Sequence, residues 1–359
     1  MTRALRILLV ANDGLSAGHV TRTLAIARAL RGRSEARGLE VRLALATTSE
    51  ADGLLATEPL ALVRMPSPAA GRRAGLSDAE RRRLVRGCIE SVVSTFAPDL
   101  VVVDTFPLGP HGELAGLGDA PAKRALVRRD VPEERLEDDA LASGLAGYDL
   151  AILAADPTPL AREPLLPHGK CVHVPPIVLG RLLPRAEARA ALGLAEGERT
   201  ILVTAGGGGD AEATARAERI AEAVTKARVG GARASVFVAR GPLARDAGAR
   251  ARTAWQLGEH MAAFDGAIAA AGYNTAHELA RAGVPAALFA SPRSFDDQAA
   301  RAKRFEREGL AIALERDDGD GIAQALAWMA TAPRKAMAAD GASAAADALL
   351  ELATSRGAP

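Results

Sequence analysis

The sequence predicts an α/β fold of two domains in tandem, and three observations predict it. The chain has 359 residues, enough for two ordinary cores. Two buried-strand runs, residues 7–10 and 200–204, each lead through a glycine-containing loop into a helix. Between them lies Val174-Pro175-Pro176-Ile177, a stiff segment because consecutive prolines favour an extended helix. The expected division is therefore a domain over 1–176, a second over 177–340, and a last helix over 341–359.

Composition narrows the function. The chain is 48% apolar and 25% charged, so it folds rather than staying disordered. A net charge of +1 gives no global field for an acidic partner, and 3% aromatics leaves few platforms for stacking bases. No nucleic-acid partner is expected. Cys88 and Cys171 sit in apolar segments and form no CxxC pair, which points to a reduced, cytoplasmic protein. No apolar run approaches the roughly 18 residues of a membrane span. Arg3 and Arg6 lead straight into a strand, so no secretory signal is expected.

In the first half, residues 7–10 form a strand and Asn12-Asp13-Gly14-Leu15-Ser16-Ala17-Gly18 a loop. A helix follows from His19 to about residue 30, with Val20, Leu24, Ala27 and Leu30 at helical spacing. Glycines at 14 and 18 alone do not make GxGxxG. A histidine at a helix start is most often a cap or a surface residue. Here the helix N-terminus favours neutral imidazole, the form a base needs near neutral pH. The strand–loop–helix order also aims it at the crevice where such sheets bind ligands.

Residues 41–46 are the second strand, and 52–76, with Pro59, Pro66 and Pro68, read as irregular. Ser77 and Glu80 make a capping box. The helix they open has an apolar face of Leu84, Val85, Cys88, Ile89, Val92, Val93 and Phe96. Arg81, Arg82, Arg83 and Arg86 read as its solvated face. With Arg72 and Arg73 they also offer cations to an anionic membrane surface. Residues 98–104, PDLVVVD, are a buried strand ending in Asp104, whose carboxylate would point into the ligand crevice or cap the next turn. Residues 125–127, 150–154 and 171–174 are further strands.

The second half opens with a helical stretch at 185–193 and the strand 200–204. Glycines 206–209 precede a long helix over 211–228. Gly206-x-Gly208-x-x-Ala211 fits the relaxed dinucleotide fingerprint, as four consecutive glycines readily do. Residues 234–239 are a strand, and Arg240 at its end suits a phosphate or a solvated loop. Residues 266–270 are the next strand, with Gly272 and Asn274 turning into a helix that Thr275 caps and Glu278 supports. That helix stops at Gly283 before Val284-Pro285. A strand over 286–290 and a polar loop over 291–298 follow. His260 and His277 read as helix surface residues. Asp318-Gly319-Asp320 spells DxD in a charged turn, where a metal role is the lesser option. Two alanine-rich helices close the chain.

Gly272…Thr275…Glu278, then Ala282-Gly283-Val284-Pro285, then Asp297-Gln298, resembles the donor-binding region of two-domain (GT-B) glycosyltransferases. Ala271-Gly272-Tyr273-Asn274-Thr275 is similar to a bacterial group related to the peptidoglycan N-acetylglucosaminyltransferase. The resemblance is strong over this block and loose elsewhere. It implies two Rossmann-like domains facing across a cleft, with the C-terminal helix crossing back to the first. It implies a nucleoside diphosphate sugar as donor, UDP ahead of dTDP, and an acceptor that is a small molecule or lipid-linked. Glu278 would bind the ribose and Asp297-Gln298 the sugar. Gly206, Gly207 and Gly208 would approach the diphosphate with Gly272, Asn274, Thr275 and Arg240. Trp255-Gln256-Leu257 would be the short strand whose backbone reads the base, through Leu257.

Gly18-His19 resembles the glycine loop of inverting members, in which that histidine is the general base and an aspartate such as Asp104 orients it. Gly18, His111 and Arg128 would lie on the acceptor side, with His111 the reserve base. No metal or other cofactor is expected. A nucleotide-sugar hydrolase on the same fold and a silent nucleotide-sugar binder fit the same residues. A dinucleotide oxidoreductase needs an acid where Arg240 stands.

Overall fold

The computed structural model describes residues 3–12, 17–115, 117, 122–129, 144–154, 170–227, 234–243, 251–253, 257–292, 296–338 and 340–355. Strands β1 (Leu5–Ala11), β2 (Val41–Thr47), β3 (Ala61–Arg64), β4 (Leu100–Asp104), β5 (Lys123–Arg128), β6 (Leu150–Ala154) and β7 (Lys170–Val174) form a parallel sheet. Its order is β3-β2-β1-β4-β5-β6-β7. Every residue of β4 and β6 is buried, which is why these segments read as unbroken apolar runs. The chain order switches direction between β1 and β4, so their carboxyl ends frame a crevice.

Helix α1 (Gly18–Ala36) follows β1 and buries Val20, Leu24, Ala27 and Leu30. The stretch expected to be irregular contains α2 (Asp52–Leu55), β3 and α3 (Pro68–Arg73). Strand β3 escaped notice because it is a short edge strand without a buried face. Helix α3 is opened by Ser67, whose Oγ accepts from Ala70 N at 2.8 Å, with Pro68 in the first turn.

Helix α4 (Asp78–Phe96) starts with the capping box read from Ser77 and Glu80. Its faces are partly reversed from expectation. Arg81 is buried, its stem lying 3.0 Å from where a Gly71 Cβ would be, while Leu84 is exposed. One residue is a 100° rotation, so the buried face centres on Arg81, Val85 and Ile89. Arg73 pairs with Glu50 at 3.0 Å and Arg86 donates to Gly112 O, while Arg72 and Arg83 are exposed and Arg82 is half-buried.

In the second unit, α5 (Arg185–Leu192) precedes β8 (Thr200–Thr204), α6 (Ala211–Lys226), β9 (Ser235–Arg240) and β10 (Ala251–Thr253). A 3-10 helix (Leu257–Ala263), β11 (Gly266–Ala270), α7 (Tyr273–Arg281) and β12 (Ala286–Phe289) come next. Then follow α8 (Gln298–Arg307), β13 (Ala311–Ala313) and α9 (Gly319–Thr331). The parallel sheet runs β10-β9-β8-β11-β12-β13, the same doubly wound plan with its switch between β8 and β11. One face packs Leu202, Phe264, Leu279 and Phe305, and the other packs Val203, Ile220, Phe289 and Leu326. Each such side chain contributes roughly 1.5–3 kcal/mol when taken from water.

The last helix, α10 (Gly341–Thr354), belongs to the first compact unit, Met1–Ile177 with Asp340–Pro359; the second is Val178–Ala339. It packs along α1 by burying Ala345, Ala346, Leu349 and Leu350. Arg33 Nε and an Arg37 amine reach Asp347 at 2.8 and 2.7 Å, exposed pairs that add little. A Cβ on Gly341 would lie 1.8 Å from Pro175 O, so only glycine lets α10 start there.

Candidate active site

In the first unit, neighbouring β1 and β4 bring the start of α1 beside Asp104. His19 is the second residue of α1, and its Nδ1 lies 2.6 Å from Asp104 Oδ2. Arg22, one turn on, is buried and grips the same carboxylate. Its Nε donates to Oδ1 at 2.7 Å and a terminal amine to Oδ2 at 2.6 Å. That amine also donates to Thr105 Oγ1 at 2.9 Å and stands 3.5 Å from His19 Nδ1. The Phe106 ring lies 5.7 Å from the imidazole.

Burial by itself would raise the Asp104 carboxyl. The Arg22 charge and the hydrogen bonds from His19 and Arg22 outweigh it and hold Asp104 far below the usual carboxylate range. An ionised Asp104 can only accept, so Nδ1 donates and the imidazole lone pair falls on Nε2. This is the tautomer a base needs. Thr105 holds φ at +65°, costly for a β-branched residue, and its N–H donates to Val127 O at 2.7 Å. Strained backbone thus anchors the strand end that carries Asp104.

Gly18 is the first residue of α1. His111 is exposed on a turn, with its backbone N–H donating to the buried Glu113 at 2.7 Å. Arg128 ends β5 and is buried, which lowers its guanidinium pKa. Loop residues 13–16, Asp130, Asp156, Trp255 and Gln256 lie outside the described residues.

In the second unit, the glycine loop leaves β8 with φ of +84° at Gly206 and +80° at Gly208. Gly241, just past β9, lies against it, since a Cβ there would sit 1.9 Å from Gly206 O. A Cβ on Gly206 would meet Thr275 Oγ1 at 3.9 Å, so the loop and the start of α7 are neighbours. Arg240 forms an ion pair with Glu218 of α6.

The capping of α7 differs from the sequence expectation. Gly272 is the N-cap, and Thr275 and Glu278 form no capping box because the helix starts one turn earlier. No side chain caps α7 and no acid sits in its first turn. Helices α6, α8 and α9, in contrast, are capped by Asp210, Asp297 and Asp318. The N-terminal dipole of α7 is left uncompensated by its own side chains, the condition for holding an anion.

Glu278 is buried, and its carboxyl lies 2.7 Å from where a Gly258 Cβ would be. Burial raises its pKa to about 7, with Arg281 pulling the other way. Leu257 opens the 3-10 helix rather than lying in a strand, because its run continues into Gly258 and the core residues Met261 and Ala263. It still stands next to Gly258, against Glu278. Asp297 accepts from Ala300 N at 2.8 Å, and Gln298 Oε1 accepts from Ser291 N at 3.0 Å. Gln298 Nε2 lies 4.0 Å from where a Gly272 Cβ would be, so the pair closes on the start of α7. The buried Arg301 ties the same place together, donating to Ala271 O and pairing with Asp296, both at 2.8 Å.

His277 is not a surface residue. It is buried, its Nδ1 donating to Tyr273 O at 2.6 Å and its ring packing on Tyr273 and Phe305. Asp318 accepts from Gly321 N at 2.9 Å and pairs with Arg316, and Asp320 is exposed.

Residues 254–352 match the glycosyltransferase family 28 C-terminal domain. No curated protein matches the sequence. The whole chain is similar in fold to the spinosyn rhamnosyltransferase SpnG complexed with thymidine diphosphate. The TM-score is 0.63 at 19% identity, covering 98% of this chain and 96% of that one. It is also similar to SsfS6 of Streptomyces sp. SF2575 with thymidine diphosphate (TM-score 0.58, 17% identity, 92% and 96% covered). A third is the calicheamicin glycosyltransferase CalG4 (TM-score 0.56, 16% identity, 98% of both chains). The chain has the two-domain GT-B fold, and its residues 254–352 match a glycosyltransferase domain.

Sequence reasoning missed Arg22, Arg301, Gly241 and Gly258. Arg22 had a signal, the i,i+3 spacing from His19 that puts both on one face of α1. Gly241 and Gly258 had none, because a close approach between distant backbones leaves no trace in local pattern.

Proposed function

We propose that the protein transfers a sugar from a nucleoside diphosphate sugar to an acceptor nucleophile, inverting the anomeric centre without a metal. The observation that carries this reading is the 2.6 Å contact of His19 Nδ1 with the ionised Asp104, which leaves Nε2 as the proton-accepting nitrogen. Nε2 of His19 takes the acceptor proton as the acceptor oxygen or nitrogen attacks the anomeric carbon. Asp104 stabilises the imidazolium that forms. The bond from the anomeric carbon to the diphosphate breaks, and the negative charge develops on the leaving phosphate. The N–H groups of the Gly206–Gly208 loop and the uncapped start of α7 meet that charge, as preorganised dipoles do. Glu278 accepts from the ribose hydroxyls, and Asp297 and Gln298 take the sugar hydroxyls.

Metal independence is supported by this dipole arrangement and by the capping role of Asp318. Uridine is favoured by the resemblance to the peptidoglycan enzyme, thymidine by the nucleotide complexed with SpnG and SsfS6. A small-molecule acceptor is supported by the SpnG complex with spinosyn aglycone, and a lipid-linked one by the exposed Leu84 beside Arg82 and Arg83. No helix among the described residues is long and apolar enough to cross a membrane.

Thermal shift with uridine and thymidine diphosphates and their sugars identifies the donor, since a ligand that binds only the native state raises the melting temperature. Product analysis with a panel of acceptors then reads transfer directly. Release of free sugar at the same rate whether or not acceptor is present would make the enzyme a hydrolase, and donor binding without turnover would make it a silent binder.

A further inference from the structure

We propose that Arg22 is a positioning residue of the transfer reaction, holding Asp104 by both oxygens so that the His19–Asp104 pair stays in its proton-accepting form at neutral pH. The proposal rests on the dyad reading given above. Its basis is geometric. The Arg22 guanidinium is planar and presents two parallel N–H groups to Oδ1 and Oδ2 at 2.7 and 2.6 Å. That fork fixes the carboxylate plane and therefore directs Oδ2 at His19 Nδ1. The hydrogen bond to Thr105 Oγ1 ties the guanidinium to the positive-φ residue that follows β4. A lysine in the same place would be a point charge with no such plane.

Arg22 and Asp104 are both buried, and together they sum to zero. Without Arg22, the carboxylate would keep the imidazole and the Thr105 hydroxyl, which donates to Oδ2 at 3.0 Å, but would lose the permanent cation that grips it. The pair would then hold a proton more firmly, and the location of that proton does not matter. Imidazolium–carboxylate and imidazole–carboxylic acid are both one proton away from the form that accepts a proton from the acceptor. Among the described residues, the other charged groups at the ends of the flanking elements are Glu113, which accepts from Asn12 Nδ2 just past β1 and from His111 N, and Arg128 at the end of β5. Neither touches Asp104 with a fork, so neither replaces Arg22.

The test is the pH–rate profile of the parent and of Arg22→Gln, Arg22→Lys and His19→Ala, with donor affinity measured alongside. Arg22→Gln should move the acid limb up by about one unit or more, the effect of losing one adjacent charge. Its neutral-pH turnover should drop at least about tenfold and partly recover as pH is raised. Donor affinity should hold. Arg22→Lys keeps the charge and should leave the limb in place while lowering turnover through the lost fork. Turnover lost equally at all pH in Arg22→Gln, with an unmoved limb, would make Arg22 a structural brace and overturn the proposal while leaving the dyad intact. An acid limb that survives in His19→Ala would instead sink the dyad, and this proposal with it. Should Arg22→Gln fail to fold, Arg22→Lys decides: a limb displaced by the charge-conserving change contradicts the role assigned here.

Discussion

Both units set a helix start beside the carboxyl ends of two neighbouring parallel strands, β1 and β4 in one and β8 and β11 in the other, and they fill that place with opposite chemistry. At the start of α1 stand three groups that carry or can take charge, His19, Arg22 and Asp104, joined by hydrogen bonds of 2.6–2.7 Å. Around the start of α7 stand glycines, an uncapped helix end and a buried carboxyl whose pKa is pushed up to about 7. The first arrangement sets a buried ion pair against an imidazole nitrogen, which suits proton transfer. The second offers neutral N–H dipoles and close backbone approach, which suits holding a diphosphate and a ribose. One architecture thus presents either a charged triad or, with the Arg301–Asp296 pair set behind it, an uncapped helix end and close-packed glycines.

The comparison breaks most sharply at His19. His19→Ala should lower turnover by about 10²–10⁴, the worth of a general base, while donor affinity measured by calorimetry stays within about twofold. A comparable loss of affinity would mean that the first unit also binds the donor through this residue. Near-parental turnover would promote His111 as the base.

Asp104→Asn sharpens the contrast in charge. It keeps the shape, removes the charge opposite His19, and leaves Arg22 buried and unpaired. Stability should fall by about 3–5 kcal/mol in urea unfolding, with turnover falling too. Sign and pH window follow from the lowered pKa. The Asp104 contribution is fully present above the ordinary aspartate range near 3.8 and is lost as pH falls through its depressed folded value.

Glu278 should behave in the opposite sense. Its folded pKa is raised from 4.5 to about 7, so its contribution to stability is fully present below 4.5 and is lost as pH rises through 7. Glu278→Gln should therefore gain on the order of 1–3 kcal/mol over the parent at pH 8 and little at pH 4. Nucleotide affinity should fall by about 1–3 kcal/mol in Glu278→Ala. The parent's affinity should strengthen as pH passes 7, because the ionised carboxylate is the better acceptor for ribose hydroxyls. Affinity flat between pH 6 and 8 would separate Glu278 from the nucleotide.

A smaller effect is expected at Gly241. Gly241→Ala places a Cβ 1.9 Å from Gly206 O, so the glycine loop must move. Donor affinity should weaken by roughly 1–2 kcal/mol with the pH–rate limb unchanged. The smallest effect is expected from excess chelator, which should leave turnover within experimental error. Complete, magnesium-reversible loss would put Asp318 and Asp320 into the reaction.

The sequence by itself determined the parts whose physics is local. Continuous apolar runs marked most of the buried parallel strands, Ser77 with Glu80 marked the start of α4, and Val284-Pro285 marked the end of α7. Aspartate at the end of one strand and histidine at the start of one helix could be placed at one sheet end from topology, and the resemblance supplied their pairing. Local pattern failed where burial depends on partners distant in sequence. Arg81 and His277 were read as solvated because their types usually are, and the fold buries both against neighbours that no window contains. Thr275 looked like a cap beside Glu278, yet where the helix begins is set by the chain leaving β11 through Ala271, whose carbonyl Arg301 holds from α8. The Arg22 fork, the raised Glu278 carboxyl and the fit of Gly241 on the glycine loop arise only when strands far apart in the chain are laid side by side. Desolvation and charge pairing are properties of that assembled neighbourhood, not of the residues that enter it.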